Sequence, residues 1–198
     1  MILARILLPL QFSILVFAAD YQLCFLNDGP NAGKLEPERA KQLQAAHMQH
    51  IGDMWKSGAL ESAGPISGLP GSRGIFLFQA STAEAARLAS LDPKVIAGDL
   101  KVDCQTWKGP EGVGKSYRKA YGKPGFKEIY VRRVGLLMKK VTPGDSLGGV
   151  LVAGPMTGGD YGYFALLETD DLEKVKKQFP DARTFLWFHD AQVWDGVS

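Results

Sequence analysis

Two stretches of the chain repeat one another, and that repetition limits the folds open to it more than any other feature. In the first, Ala63-Gly64-Pro65 is followed by the strand-like Ile75-Phe76-Leu77-Phe78, a helix-like segment, and Asp103-Cys104-Gln105-Thr106-Trp107. In the second, Ala153-Gly154-Pro155 is followed by Tyr163-Phe164-Ala165-Leu166-Leu167, a helix-like segment, and Asp190-Ala191-Gln192-Val193-Trp194. The tripeptides lie 90 residues apart and the closing D-x-Q-x-W segments 87. A duplication of this length means two copies of one supersecondary unit. A unit that cannot bury its apolar face alone packs against its copy.

Local patterning gives each copy its order. Residues 21–26 read as a strand ended by the turn Asn27-Asp28-Gly29-Pro30. Residues 36–57 carry a helical stripe of Leu43, His47, Ile51 and Met54. Strands follow at 60–65 and 75–79. Ser81 and Glu84 have capping-box spacing at the start of a second helix, and Asp92-Pro93 ends it. Residues 100–107 form the fourth strand. The order βαββαβ is the ferredoxin-like plan.

The second copy is shorter, with strands at 128–138, 149–155 and 163–167. Its helix spans 171–179, with Asp170 and Glu173 at cap spacing, and no amphipathic helix fits between 139 and 148. The expected fold class is therefore α+β: two ferredoxin-like units, the second degenerate with its first helix lost, forming an intrachain α+β barrel pseudo-dimer. Unit 1 covers 20–107, a Gly- and Lys-rich linker 108–127, and unit 2 128–198. In this scheme Pro65 matches Pro155 and Trp107 matches Trp194. Period-two alternation puts Asp103, Gln105 and Trp107 on one strand face, as it does Asp190, Gln192 and Trp194. Packing between the copies explains that face better than a ligand pocket does.

Residues 1–19 read as a signal peptide: Arg5 supplies the positive end, 6–17 are mostly apolar, and Val16-Phe17-Ala18 suits cleavage after Ala18 or Ala19. The run is too short for a bilayer, which takes about 20 apolar residues. The expected localisation is secreted or periplasmic, with no membrane association after signal removal. About 180 residues remain, enough for two small units or one fused domain. A formal net charge of +2 and 45% hydrophobic residues describe an ordinary soluble core and give no reason to expect nucleic acid. The two cysteines, Cys24 and Cys104, fall on strands that neighbour one another in a ferredoxin-like sheet, so an exported chain would pair them. Two buried free thiols are the alternative.

His47, then Gly58, Ala63-Gly64-Pro65, Asp92-Pro93 and a closing Trp107 resemble the YCII-related family. The resemblance covers 21–107 well and 128–194 in part. It implies a ferredoxin-like fold that pairs as a dimeric α+β barrel, here within one chain, which allows a monomer. It also implies a catalytic His–Asp pair, and the matching positions are His47 and Asp92. On the residues alone, His47 lies on the apolar stripe and is at least half buried, so its imidazole needs a partner. A carboxylate at Asp92 would orient it as an acid or base. A core histidine satisfied by a carbonyl, with Asp92 only ending a helix, explains the same residues. If the pair forms, a pocket is expected beside it, walled by Trp55 or the Ala63-Gly64-Pro65 strand.

Three other patterns compete. His47 and His50 share a helix flank, and with His189 they form a weak metal alternative that no Cys cluster or H-E-x-x-H strengthens. Residues 109–116, GPEGVGKS, match a P-loop pattern with Lys115 and Ser116 in the phosphate and magnesium places. No long helix follows to supply the dipole, so nucleotide binding is not expected. Nine basic residues between 115 and 140 read as a solvated edge rather than an anion site. The resulting expectation is a small-molecule acid–base enzyme, lyase or isomerase in type, with His47 and Asp92 and no cofactor or metal. The alternative is a non-catalytic small-molecule-binding or structural module.

Overall fold

The structure is a computed structural model that describes residues 18–140 and 148–197. The expected signal segment lies outside these residues except for Ala18 and Ala19, which begin β1 (Ala18–Asp28). The chain continues through α1 (Pro37–Lys56), β2 (Leu60–Ser67), β3 (Ser72–Phe78), α2 (Thr82–Ser90), α3 (Pro93–Ile96) and β4 (Leu100–Pro110). Then come α4 (Lys115–Ala120), β5 (Tyr130–Met138), β6 (Val150–Thr157), β7 (Tyr163–Leu167), α5 (Leu172–Gln178), β8 (Arg183–Asp190) and a 3-10 turn, Ala191–Trp194.

The strands close into one antiparallel barrel in the order β1-β3-β2-β8-β5-β7-β6-β4. This overturns the expected α+β architecture of two ferredoxin-like units in a pseudo-dimer barrel. The molecule is mostly sheet, its helices are few, and only α1 exceeds nine residues. The physical reason is edge removal: β2 pairs with β8 (Ile66 with Trp187) and β4 with β6 (Trp107 with Met156), so the eight strands form a single ring. A closed ring leaves no unpaired strand edge for another chain to add to.

The duplication survives inside that ring. Going round it, β4-β1-β3-β2 is followed by β8-β5-β7-β6, the same order in the second half as in the first. Pro65 and Pro155 sit on corresponding strands, β2 and β6. Trp107 and Trp194 do not correspond, because Trp194 lies in the 3-10 turn after β8. Trp187 takes the matching place. A Cβ added to Gly64 would fall 1.9 Å from the Phe188 carbonyl oxygen and 3.1 Å from Trp187 Nε1, while one on Gly154 would fall 1.9 Å from the Lys108 oxygen and 3.1 Å from Trp107 Nε1. The two glycines thus do one job, letting strands close on each other over a tryptophan edge. The second D-x-Q-x-W is a different structure: Asp190 Oδ1 accepts from the Gln192 N–H at 2.8 Å and caps the turn.

Local chemistry accounts for the helices. Pro37 fixes φ at the first turn of α1, Leu43, His47 and Met54 form its buried stripe, and Gly58 at φ 88° ends the segment. Ser81 Oγ accepts from the Glu84 N–H and opens α2. In α5 the cap is Asp171, whose carboxylate accepts from the Lys174 N–H, rather than Asp170.

Three apolar clusters result. The barrel interior holds Tyr21, Leu23, Phe25, Trp107, Phe164, Phe185 and Trp187. Outside the first half, Cys24, Leu26, Phe76, Phe78, Ala85 and Ala89 lie under α1 and α2. Outside the second half, Val134, Leu136, Ala165 and Val175 lie under α5. Cys24 and Cys104, opposite one another on β1 and β4, form a disulfide.

Candidate functional site

His47 projects from the buried stripe of α1, and Asp92 is brought to it by the turn between α2 and α3. Asp92 is the N-cap of α3: its Oδ1 accepts from the Lys94 backbone N–H at 2.9 Å. Its other oxygen, Oδ2, lies 2.6 Å from His47 Nδ1. Asp92 is fully buried, while 11% of the His47 side chain remains exposed. Both carboxylate oxygens therefore accept, and Nδ1–H of His47 donates. That fixes the ring's orientation and leaves Nε2 as the nitrogen with a free lone pair when the ring is neutral. No described residue bonds Nε2. Phe76 stacks on the ring with centroids 6.0 Å apart, which holds the imidazole plane.

The ring borders a cavity of about 780 Å³, large enough for a small organic molecule. One wall is α1, with Gln44, Met48, Ile51 and Trp55; the floor is β2 and β3, with Ala63, Gly64, Pro65, Ile75 and Phe76. Trp55 and the Ala63-Gly64-Pro65 strand both face it. Near His47 the cavity also meets Arg73 and Lys94, each paired with Asp99 at 3.3 Å. Arg73 bonds Asp28 at 2.6 Å as well. Those cations are already compensated, so this end is polar rather than strongly positive.

The opposite end of the cavity is formed by residues that make no pattern in the sequence. Glu61, which is 95% buried, follows Leu60 at the start of β2, and its Oε2 accepts from Arg118 Nε at 3.1 Å. Arg118 comes from α4 and also donates to the carbonyls of Trp55 (2.7 Å) and Leu60. Burial pushes the Glu61 carboxyl upward, against the pull of the Arg118 charge. Tyr117 donates its hydroxyl to Glu128 at 2.8 Å, and burial together with that carboxylate pushes the phenol up. Tyr130 is pushed up to about 12, first by burial and then by Glu128. A glutamate two residues ahead of a duplicated A-G-P tripeptide is the one available sequence signal. The tyrosines come from two separate elements, α4 and β5, and carry none.

The competing patterns resolve geometrically. His50 Nε2 donates to the Leu88 carbonyl at 2.9 Å. His189 lies inside the barrel beside Trp187 and Trp194, far in character from the α1 flank. Among the described residues, no three His, Cys, Asp or Glu side chains gather in a set that could hold a metal ion. The P-loop pattern runs from the end of β4 to the first two residues of the six-residue α4. Its Gly114 N–H is spent on the Val193 carbonyl, and the Glu61 carboxylate lies against Gly114, where a phosphate would be repelled. Of the basic run, Arg118 binds Glu61 and Arg133 binds Glu168.

No family model matches the chain, and no curated protein is similar to it.

Proposed function

We propose that the protein is a small-molecule acid–base enzyme, lyase or isomerase in type, in which His47 Nε2 takes a proton from the ligand and returns it at another position. The observation that supports this is the 2.6 Å contact between His47 Nδ1 and the fully buried Asp92 carboxylate, at the edge of a ligand-sized cavity. Asp92 holds the ring with Nε2 toward incoming substrate and stabilises the imidazolium formed after proton uptake. The resemblance to the YCII-related family belongs to the same reading. So does export: the Cys24–Cys104 disulfide suits an oxidising compartment.

The test has two parts. Ring-nitrogen NMR of the neutral protein should show His47 protonated at Nδ1. Incorporation of deuterium from D2O into a set of small 2-oxo acids, 3-oxo acids and lactones should then be catalysed by the wild type. Asp92→Asn should reduce that rate by about 100-fold, and His47→Ala by at least as much. A proton on Nε2, or wild-type exchange no faster than that of His47→Ala, removes the catalytic reading and leaves the binding or structural module.

A further inference from the structure

The two ends of the cavity differ in chemistry. The end away from His47 is walled by a packed aromatic cluster: Trp55 and Tyr121 have centroids 4.5 Å apart, Tyr117 and Tyr121 5.8 Å, and Trp55 and Tyr117 6.0 Å. Across the mouth, Tyr130 stacks on Phe188 at 5.3 Å. All five rings line the cavity. Arg118 already lies over the Trp55 ring, 5.1 Å from its centroid, which shows that this wall accepts a cation on a ring face.

The carboxylates at this end outnumber their cations. Glu61 spends Oε2 on Arg118, and no described residue bonds its Oε1 although the side chain is 95% buried and lines the cavity. Glu128 and Asp190 also line the cavity, and neither forms an ion pair with a cation among the described residues. Asp190 is held only by the N–H groups of Ile129 and Gln192 and by the Gln192 amide. Glu128 accepts from the Tyr117 hydroxyl at 2.8 Å and is also hydrogen-bonded with Tyr130. Lys115 acts on Glu61 from outside, at the exposed start of α4.

We infer that this end of the cavity is a subsite for an organic cation, an ammonium group lying against the exposed rings of Tyr121 and Tyr130 and facing the Glu61 and Glu128 carboxylates. Aromatic faces and uncompensated carboxylates favour the same charge, and a partly desolvated cation gains from both. As the substrate class of the proposed reaction, which this part rests on, the inference specifies an amine whose charged nitrogen lies at one end and whose reacting atom reaches His47 at the other.

The subsite can be tested without the reaction. Choline and its uncharged isostere, 3,3-dimethylbutan-1-ol, are titrated into the full chain and followed by calorimetry and by NMR of the Tyr121 and Tyr130 rings. Choline should bind about tenfold or more tighter than the alcohol. Glu128→Gln, at an exposed position and with an amide oxygen that still accepts from Tyr117, should weaken choline by about tenfold and leave the alcohol unchanged. Tyr121→Ala should weaken choline similarly, whereas His47→Ala should leave it unaltered. Equal affinity for the two probes, no saturable choline binding, or an unchanged affinity in Glu128→Gln overturns the subsite. Choline binding that persists in a protein without deuterium exchange would sink the catalytic reading alone; exchange without choline binding would sink the subsite alone.

Discussion

The two halves of the barrel share a strand order but cover it differently. Outside the first half lie α1, α2 and α3, which bury a histidine against a carboxylate and leave a cavity beside it. Outside the second half lies α5, over an apolar layer of Val134, Leu136, Ala165 and Val175. The contrast extends to the histidines. His47 has Asp92 as its partner; His189, inside the barrel, has Arg133 Nη1 at 3.3 Å and the Trp187 carbonyl at 3.2 Å. One ring is oriented by a carboxylate and the other, facing a guanidinium, is held neutral. The duplicated strands supply the frame, and α1 with the turn between α2 and α3 supplies the His47–Asp92 pair.

The largest test of this contrast is the disulfide, which only the first half carries. Cys24 and Cys104 face each other on β1 and β4, and they close a loop with a sequence separation of 80. The loop-entropy model assigns such a crosslink about 4 kcal/mol. Cys24→Ala with Cys104→Ala, compared with the oxidised protein by urea denaturation, should show a loss of that order. No change, or two free thiols titrating in the unfolded and unreduced protein, would remove the bond as a difference between the halves.

The next test asks whether the halves are equivalent where they join. Gly64 and Gly154 each sit where a Cβ would be 1.9 Å from a carbonyl oxygen of the neighbouring strand. Backbone cannot yield as a side-chain tip does, so Gly64→Ala and Gly154→Ala should each cost about 3 kcal/mol, the upper range of overpacking effects. Similar losses at both would establish the junctions as true counterparts. A mild effect at one alone would mean that its strand pair has slack.

How far the sequence disclosed this molecule can be judged from the same residues. The A-G-P repeat was informative because Gly64 and Gly154 meet the same steric demand, and a steric demand fixes residue type. The D-x-Q-x-W repeat misled. Its second copy caps a 3-10 turn, while the real counterpart of Trp107 is Trp187, seven residues earlier in a sequence with no motif around it. Barrel closure was illegible because it rests on short pairings between β2 and β8 and between β4 and β6, far apart in sequence. His47 could be singled out from its place on an apolar stripe, whereas Asp92 entered as its partner only through the resemblance to the YCII-related family; its place before a proline marks only the end of a helix. The acidic and aromatic end of the cavity could not, since α1, β2, α4 and the strand β5 each contribute one or two residues and none forms a local pattern.

The smallest effect belongs to His189, and it separates the two histidines by sign. Burial, followed by the Arg133 charge, lowers this imidazole to about 3, far below its ordinary value. In the unfolded chain the same group takes up a proton near pH 6.5. Above that pH both states are neutral and His189 contributes no slope. As the pH falls from about 6.5 toward 3, the unfolded chain gains a proton that the folded one refuses. Stability should then drop by about 1.4 kcal/mol per pH unit from this group. Replacing His189 with Gln, which keeps an acceptor for Arg133, should flatten that part of the profile. If denaturation midpoints between pH 6 and pH 4 fall equally in the wild type and in His189→Gln, the neutral, cation-facing histidine of the second half is not what sets its acid sensitivity.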